Sequence, residues 1–291
     1  MESVKKAEDL VTSKDATIAG FTWQADKKLD SANVYLENAE YFKKNYKTIK
    51  SIKDARADQK IFEFIIASCM LSTKSLKHLS TETQDEIITK LINFNKFNNP
   101  EYILNLTHRY FLTSGDSLGG TMRNVIGQTA QNKLTESIIA RLDTLGKKPE
   151  RILNRDSKTV AIKWDGRQII FDKKPKFIGK SIDIIVLKGS SSKTGELEEP
   201  DDYVCCGELK GGIDPAGADE HWKTAKTALE RISSSFTEIK KDVPKLIFLG
   251  AAIENAMSIE IFDLLQSNWL AGAANINYED QFLELIDIII S

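Results

Sequence analysis

The sequence predicts an α/β fold: a mixed β-sheet flanked by helices, with a helical region in front of it. Three observations predict it. Roughly the first third of the chain carries apolar residues at helical spacing, the pattern changes to short β runs near Thr159, and from Ser181 onward strand-like and helix-like segments alternate.

Taken in order, "SANVYLENAEYFKKNYKTIKSI" and "DQKIFEFIIASCMLS" read as helices, and "STETQDEIITKLINF" opens with capping Ser/Thr residues and early acids. "GDSLGGTMRNVIGQTAQNKLTESIIARLDTLG" reads as a long helix entered through Asp116 or Ser117 and stopped at Gly146. Gly119, Gly120 and Gly127 are expected to let something approach its first part closely. "TVAIKWDGRQIIF" is a hairpin around Asp165–Gly166, because Asp-Gly supplies the backbone a two-residue turn needs. "SIDIIVL" and "YVCCGELK" are strands separated by the polar loop "KGSSSKTGELEEPDD". "ADEHWKTAKTALERISSSF" is a helix, "KLIFLGAAI" a strand and "SIEIFDLLQSNW" a helix. The organisation expected is a mainly helical accessory domain over residues 1–105 and a sheet-bearing domain over 106–291.

At 291 residues the chain can bury a full core. No apolar run approaches the ~20 residues of a membrane span, and "MESVKKAEDL" has no apolar signal core, so an intracellular protein without a membrane partner is expected. Cys69, Cys205 and Cys206 form no CxxC pair, which points to buried thiols. Net charge is −2, yet residues 41–60 hold seven Lys/Arg against two Asp, and residues 151–180 hold nine against three. A basic groove on a near-neutral body suits a phosphate backbone; solvated helix and hairpin faces would give the same count.

The chemistry centres on "GELKGGIDPAGADEHWK", residues 207–223. Side chains alternate along a strand, so Glu208 and Lys210 point the same way. If the preceding strand pairs with this one, Asp183 meets Glu208. Two carboxylates brought together repel unless a cation lies between them. Lys210 is one such charge, and a hard divalent ion such as Mg2+ is another. An Asp, a gap and Glu-x-Lys form the PD-(D/E)XK nuclease signature, here with Ile182 in place of the usual Pro. "GDSLGGTMRN" lacks a following GK[ST], so no nucleotide cofactor is expected.

"GELKGGIDPAGADEHWKTA", with "GDSLGGTMRN" upstream and "GAAIE" downstream, resembles the AvaI/BsoBI family of type II restriction endonucleases over Gly115 to Glu254. The resemblance implies a PD-(D/E)XK nuclease core and Mg2+-dependent hydrolysis of double-stranded DNA that leaves 5′-phosphate ends. It implies Asp183 and Glu208 as metal ligands and Lys210 as the signature lysine. His221 would act on the attacking water, as general base or as positioner. Lys74, Lys180 and Asp214 would be DNA contacts, their chemistry suited to guanine acceptors and the cytosine amino group. A palindromic site of the CYCGRG type, a homodimer and a bacterial cytoplasmic setting follow from the same likeness. The rival readings are a structure-specific or repair nuclease of the same core, and a non-catalytic DNA-binding module. The shorter loop between Asp183 and Glu208 departs from the family pattern.

Overall fold

The computed structural model describes residues 1–189 and 196–291. Residues 190–195 of the polar loop lie outside the described residues. In chain order the helices are α1 (Lys14–Asn45), α2 (Ile52–Ala57), α3 (Gln59–Ser68), α4 (Thr73–Leu76), α5 (Thr81–Leu91) and α6 (Pro100–Thr144). The sheet-bearing part follows as β1 (Glu150–Leu153), β2 (Thr159–Trp164), β3 (Arg167–Lys173), β4 (Ile182–Lys188), β5 (Tyr203–Lys210), α7 (Pro215–Glu238), β6 (Lys245–Gly250), α8 (Asn255–Gln266), β7 (Gly272–Asn275) and α9 (Glu279–Ile290).

The seven strands lie in sequence order in one mixed sheet, antiparallel from β1 to β5 and parallel from β5 through β7. Each face of the sheet has its own core. On one face, Trp222, Leu229, Ile232 and Phe236 of α7 pack with Ile185, Leu187, Cys206 and Phe248. On the other, Leu134, Ile138 and Leu142 of α6 join Phe282, Leu285 and Ile289 of α9 over Ile184, Val186, Cys205 and Ile247. Each such buried side chain contributes about 1.5–3 kcal/mol. All three cysteines are buried and free, as the sequence predicted.

The hairpin turn is as read: Asp165 and Gly166 both have positive φ, 38° and 72°, which an Asp-Gly pair accommodates. Two features differ from expectation. The long helix begins at Pro100, not near Gly115, because Asn99 caps it by accepting from the Glu101 and Tyr102 amides at 2.9 and 3.4 Å. "GDSLGG" is therefore helix interior; among the described residues, a Cβ added at Gly115, Gly119 or Gly127 would meet nothing within 4 Å beyond its own stretch of helix, and one at Gly120 would meet only the Arg123 guanidinium at 3.9 Å.

The chain divides into two compact units, Trp23–Asn124 and the combination of Met1–Thr22 with Val125–Ser291. The N-terminal segment is stitched into the sheet-bearing unit, and the second boundary falls inside α6. Val4 and Leu10 are buried there, and the Asn275 amide donates to Leu10 O and Thr12 Oγ1 at 2.9 and 2.8 Å. The helical unit has its own core, in which Phe42, Phe64 and Tyr110 stack in succession. No described helix is long and apolar enough to cross a membrane.

Candidate active site

Register brings the two acids together. Ile184 pairs with Gly207 across the antiparallel β4–β5 ladder, which sets Asp183 opposite Glu208. Alternation does the rest: Cys206, Glu208 and Lys210 succeed one another on the α7 face of β5 as that strand leaves the core. The Lys210 ammonium donates to Glu208 Oε2 at 2.7 Å and to Asp183 Oδ2 at 3.1 Å, and the Leu209 amide donates to Asp183 Oδ2 at 2.9 Å.

One ammonium thus serves two carboxylates, and Glu208 is only 4% exposed. Burial, and then the charge of Asp183, push the Glu208 carboxyl up to about 7, with Lys210 pulling the other way. Burial disfavours the Lys210 charge, but the two carboxylates outweigh it and hold the ammonium above its ordinary value. Asp172, at a positive-φ position (53°) on β3, adds to the acidity of this region. Its carboxyl is pushed up by desolvation and by Asp183. Sequence spacing gave no signal for Asp172, because only the β3–β4 pairing, with Phe171 and Lys173 opposite Ile184 and Ile182, brings it beside Asp183.

The glycines after Lys210 have separate jobs. A Cβ on Gly211 would lie 2.6 Å from Ala130 Cβ and 3.1 Å from Ile126 O of α6, so this glycine lets the strand end pass close to that helix. A Cβ on Gly212 would lie 2.8 Å from His221 Cε1 and 3.3 Å from Nδ1. The imidazole rests against bare backbone. Asp214 caps α7, its Oδ1 accepting from the Ala216 amide at 3.0 Å, with Pro215 at the first helical position. Trp222, the neighbour of His221, is core, and its indole N–H donates to Glu260 of α8. Lys226 donates to the same carboxylate at 2.6 Å, which fastens α7 to α8.

An open cavity of about 450 Å³ lies over the pair and is lined by Lys180, Asp183, Glu208 and the α7 face that carries Lys223 and Arg231. Lys180 is therefore gathered with the acids. His221 and Asp214 stand at the β5–α7 junction and do not line this cavity. Lys74 belongs to the helical unit, on α4, where it lines a separate cavity of about 590 Å³ with Lys60 and Tyr110. His78 and His108 are exposed.

Among the described residues, no three His, Cys, Asp or Glu side chains converge as a metal cage. The donor set at the site is two carboxylates with excess negative charge. That set suits a hard cation which keeps several waters and is completed by substrate oxygens, and it does not suit a closed structural site.

Comparison with known proteins matches the whole chain, residues 1–291, to a family described as "Restriction endonuclease BsobI". The chain is 36% identical over 313 aligned residues to the type II restriction enzyme BsoBI of Geobacillus stearothermophilus, covering 99% of this chain and 97% of that protein. It is 33% identical over 304 residues to the type II restriction enzyme AvaI of Nostoc sp., covering 97% and 96%, and matches AvaI of Anabaena variabilis to the same extent.

Proposed function

The chain belongs to the BsoBI family of type II restriction enzymes, which are site-specific deoxyribonucleases, and from that premise we propose that it cleaves double-stranded DNA at a CYCGRG-type palindrome. The cofactor proposed is Mg2+ and the ends 5′-phosphate and 3′-hydroxyl. The observation that carries the reading is the pairing of Asp183 and Glu208 on the single Lys210 ammonium, with Glu208 pushed up to about 7. A half-buried acid pair short of positive charge is costly for a fold and useful to a site that recruits a cation.

Asp183 and Glu208 would hold the ion. When bound, Mg2+ supplies Lewis-acid stabilisation of the phosphoryl group and lowers the pKa of an attacking water. Lys210, relieved of part of its carboxylate load, orients that water and offsets charge developing on the phosphorus oxygens. His221 takes the water's proton or fixes its direction, and the Gly212 backbone sets where the ring lies. Lys180 and Asp214 in the sheet-bearing unit, with Lys74 in the helical unit, contact the bases. The helical unit, in this reading, serves as the accessory domain that embraces the DNA. A two-fold site calls for a homodimer.

Digestion of a sequenced plasmid with Mg2+, beside EDTA and Glu208→Ala controls, followed by run-off sequencing of the ends, tests this reading. Discrete fragments that need Mg2+ and Glu208 are expected, with every run-off falling within a CYCGRG sequence of the plasmid. General nicking, or specific binding without cleavage, would replace it with one of the two rival functions.

A further inference from the structure

The cavity over Asp183 and Glu208 contains more cationic charge than the expected site residues use. Its basic lining residues are Lys180, Lys223 and Arg231. Lys223 is bound by Asp219 one turn earlier on α7, and the nearby Lys210 ammonium is held by both acids. Lys180 is exposed at the mouth, where the resemblance makes it a base contact. Arg231 is different. Among the described residues it makes no ion pair, and its Nε is buried without a hydrogen bond.

A buried, unpartnered guanidinium nitrogen is uncommon in a folded protein, because the lost hydration is not replaced. The side chain nevertheless lines the cavity, so its unpaired charge lies at that wall. Glu220, Thr224, Thr227 and Arg231 recur at helical spacing and present one face of α7 to the cavity, while Leu229 and Ile232 bury the opposite face in the sheet core. An anion entering this space meets repulsion from Asp183, Glu208 and Glu220. The free planar fork of an arginine is the group best suited to offset that repulsion and to bind two oxygens of one phosphate.

We propose that Arg231 is a substrate-contacting residue of the cleavage site, donating to the non-bridging oxygens of a backbone phosphate on the strand that passes over Asp183 and Glu208. The inference rests on the endonuclease reading and extends it to a residue that neither motif nor resemblance singled out. The ligand is a phosphodiester monoanion, so the contact adds affinity and register without base preference.

The test is equilibrium binding to a duplex carrying the site mapped by plasmid digestion, with Ca2+ in place of Mg2+ to hold back chemistry, across a salt series. Arg231→Gln should bind about tenfold or more weakly, with a salt slope shallower by about one ion, and Arg231→Lys should recover part of both. A second arm tests the contact from the DNA side. Neutral methylphosphonate is placed at one backbone position at a time in the duplex, and wild-type protein should lose affinity at a position where Arg231→Gln loses none further. Equal affinity and slope for wild type and Arg231→Gln, or losses that add at every position, would overturn the assignment of Arg231 alone. Failure of wild type to bind the mapped duplex in preference to a scrambled one would instead remove the endonuclease reading, and this inference with it.

Discussion

Two carboxylate–lysine clusters abut α7, and they differ in burial. At the cavity, two acids share one ammonium, and Glu208 is pushed up to about 7. Behind it, Glu260 accepts from Lys226 and from the Trp222 indole, those hydrogen bonds hold its carboxyl below the ordinary range, and Glu230 lies 3.8 Å from the same ammonium. The second cluster also sets two acids on one lysine, but both acids are solvent-exposed, and it fastens two helices. The first carries its shortage of positive charge out of water, with Glu208 buried, at the end of a strand beside an open cavity. A fold gains nothing from that imbalance, so the contrast separates a structural ion cluster from one held ready for chemistry.

Substitution should break the contrast most sharply at the two glutamates. Glu208→Ala is expected to lower single-turnover cleavage on the order of 10³-fold, the several kcal/mol a metal site supplies, while the protein stays folded. Glu260→Ala should do the opposite. Leaving the buried indole N–H unpaired costs about 1–3 kcal/mol of stability in urea melts, and cleavage at a temperature where the variant is folded stays within about tenfold of wild type.

Changing pH sharpens the same comparison. A Glu208 carboxyl raised from 4.5 to about 7 stays protonated in the folded chain while its unfolded counterpart ionises, so metal-free stability falls as pH rises through that window. The change is about 3 kcal/mol at most, and Glu208→Gln should remove it. Glu260, held low, contributes stability that is present above the ordinary carboxylate range and is lost as pH falls. Denaturant titrations of wild type from about pH 3 to about pH 8 would read the two opposite slopes, and Glu208→Gln and Glu260→Gln should each remove one.

A smaller effect is expected at Gly212. A methyl group there forces the His221 ring to move, because the ring carbon would be 2.8 Å away. Gly212→Ala and His221→Ala should reduce cleavage by similar amounts, about 10²-fold for a displaced acid–base group, and the double variant should be no worse than either. Additive losses would show that Gly212 does not act through the histidine.

Much of this was legible beforehand, for reasons that can be named. Period-two alternation and the antiparallel pairing expected of adjacent strands suffice to bring Asp183, Glu208 and Lys210 together. Asp165–Gly166 specified its turn because few other pairs accept two positive φ values. The start of α6 was misread because Gly115–Asp116 has the composition of a helix entry, while the true entry depends on Asn99 and Pro100. β7 escaped notice because "GAAN" has none of the β-branched residues that mark a strand; pairing with β6 determines it. Asp172 and Arg231 carry no local pattern at all. They become visible only when β3 lies beside β4 and α7 closes one wall of the cavity.

The most direct measurement is single-turnover cleavage of one mapped duplex in Mg2+ by wild type, Glu208→Gln and Glu260→Gln, each at a temperature where all three are folded. The account of a buried charge imbalance predicts that Glu208→Gln is inactive although at least as stable as wild type at pH 7.5, and that Glu260→Gln cuts at nearly the wild-type rate. Cleavage by Glu208→Gln at the wild-type rate would contradict it, because the strained acid pair would then have no part in the reaction.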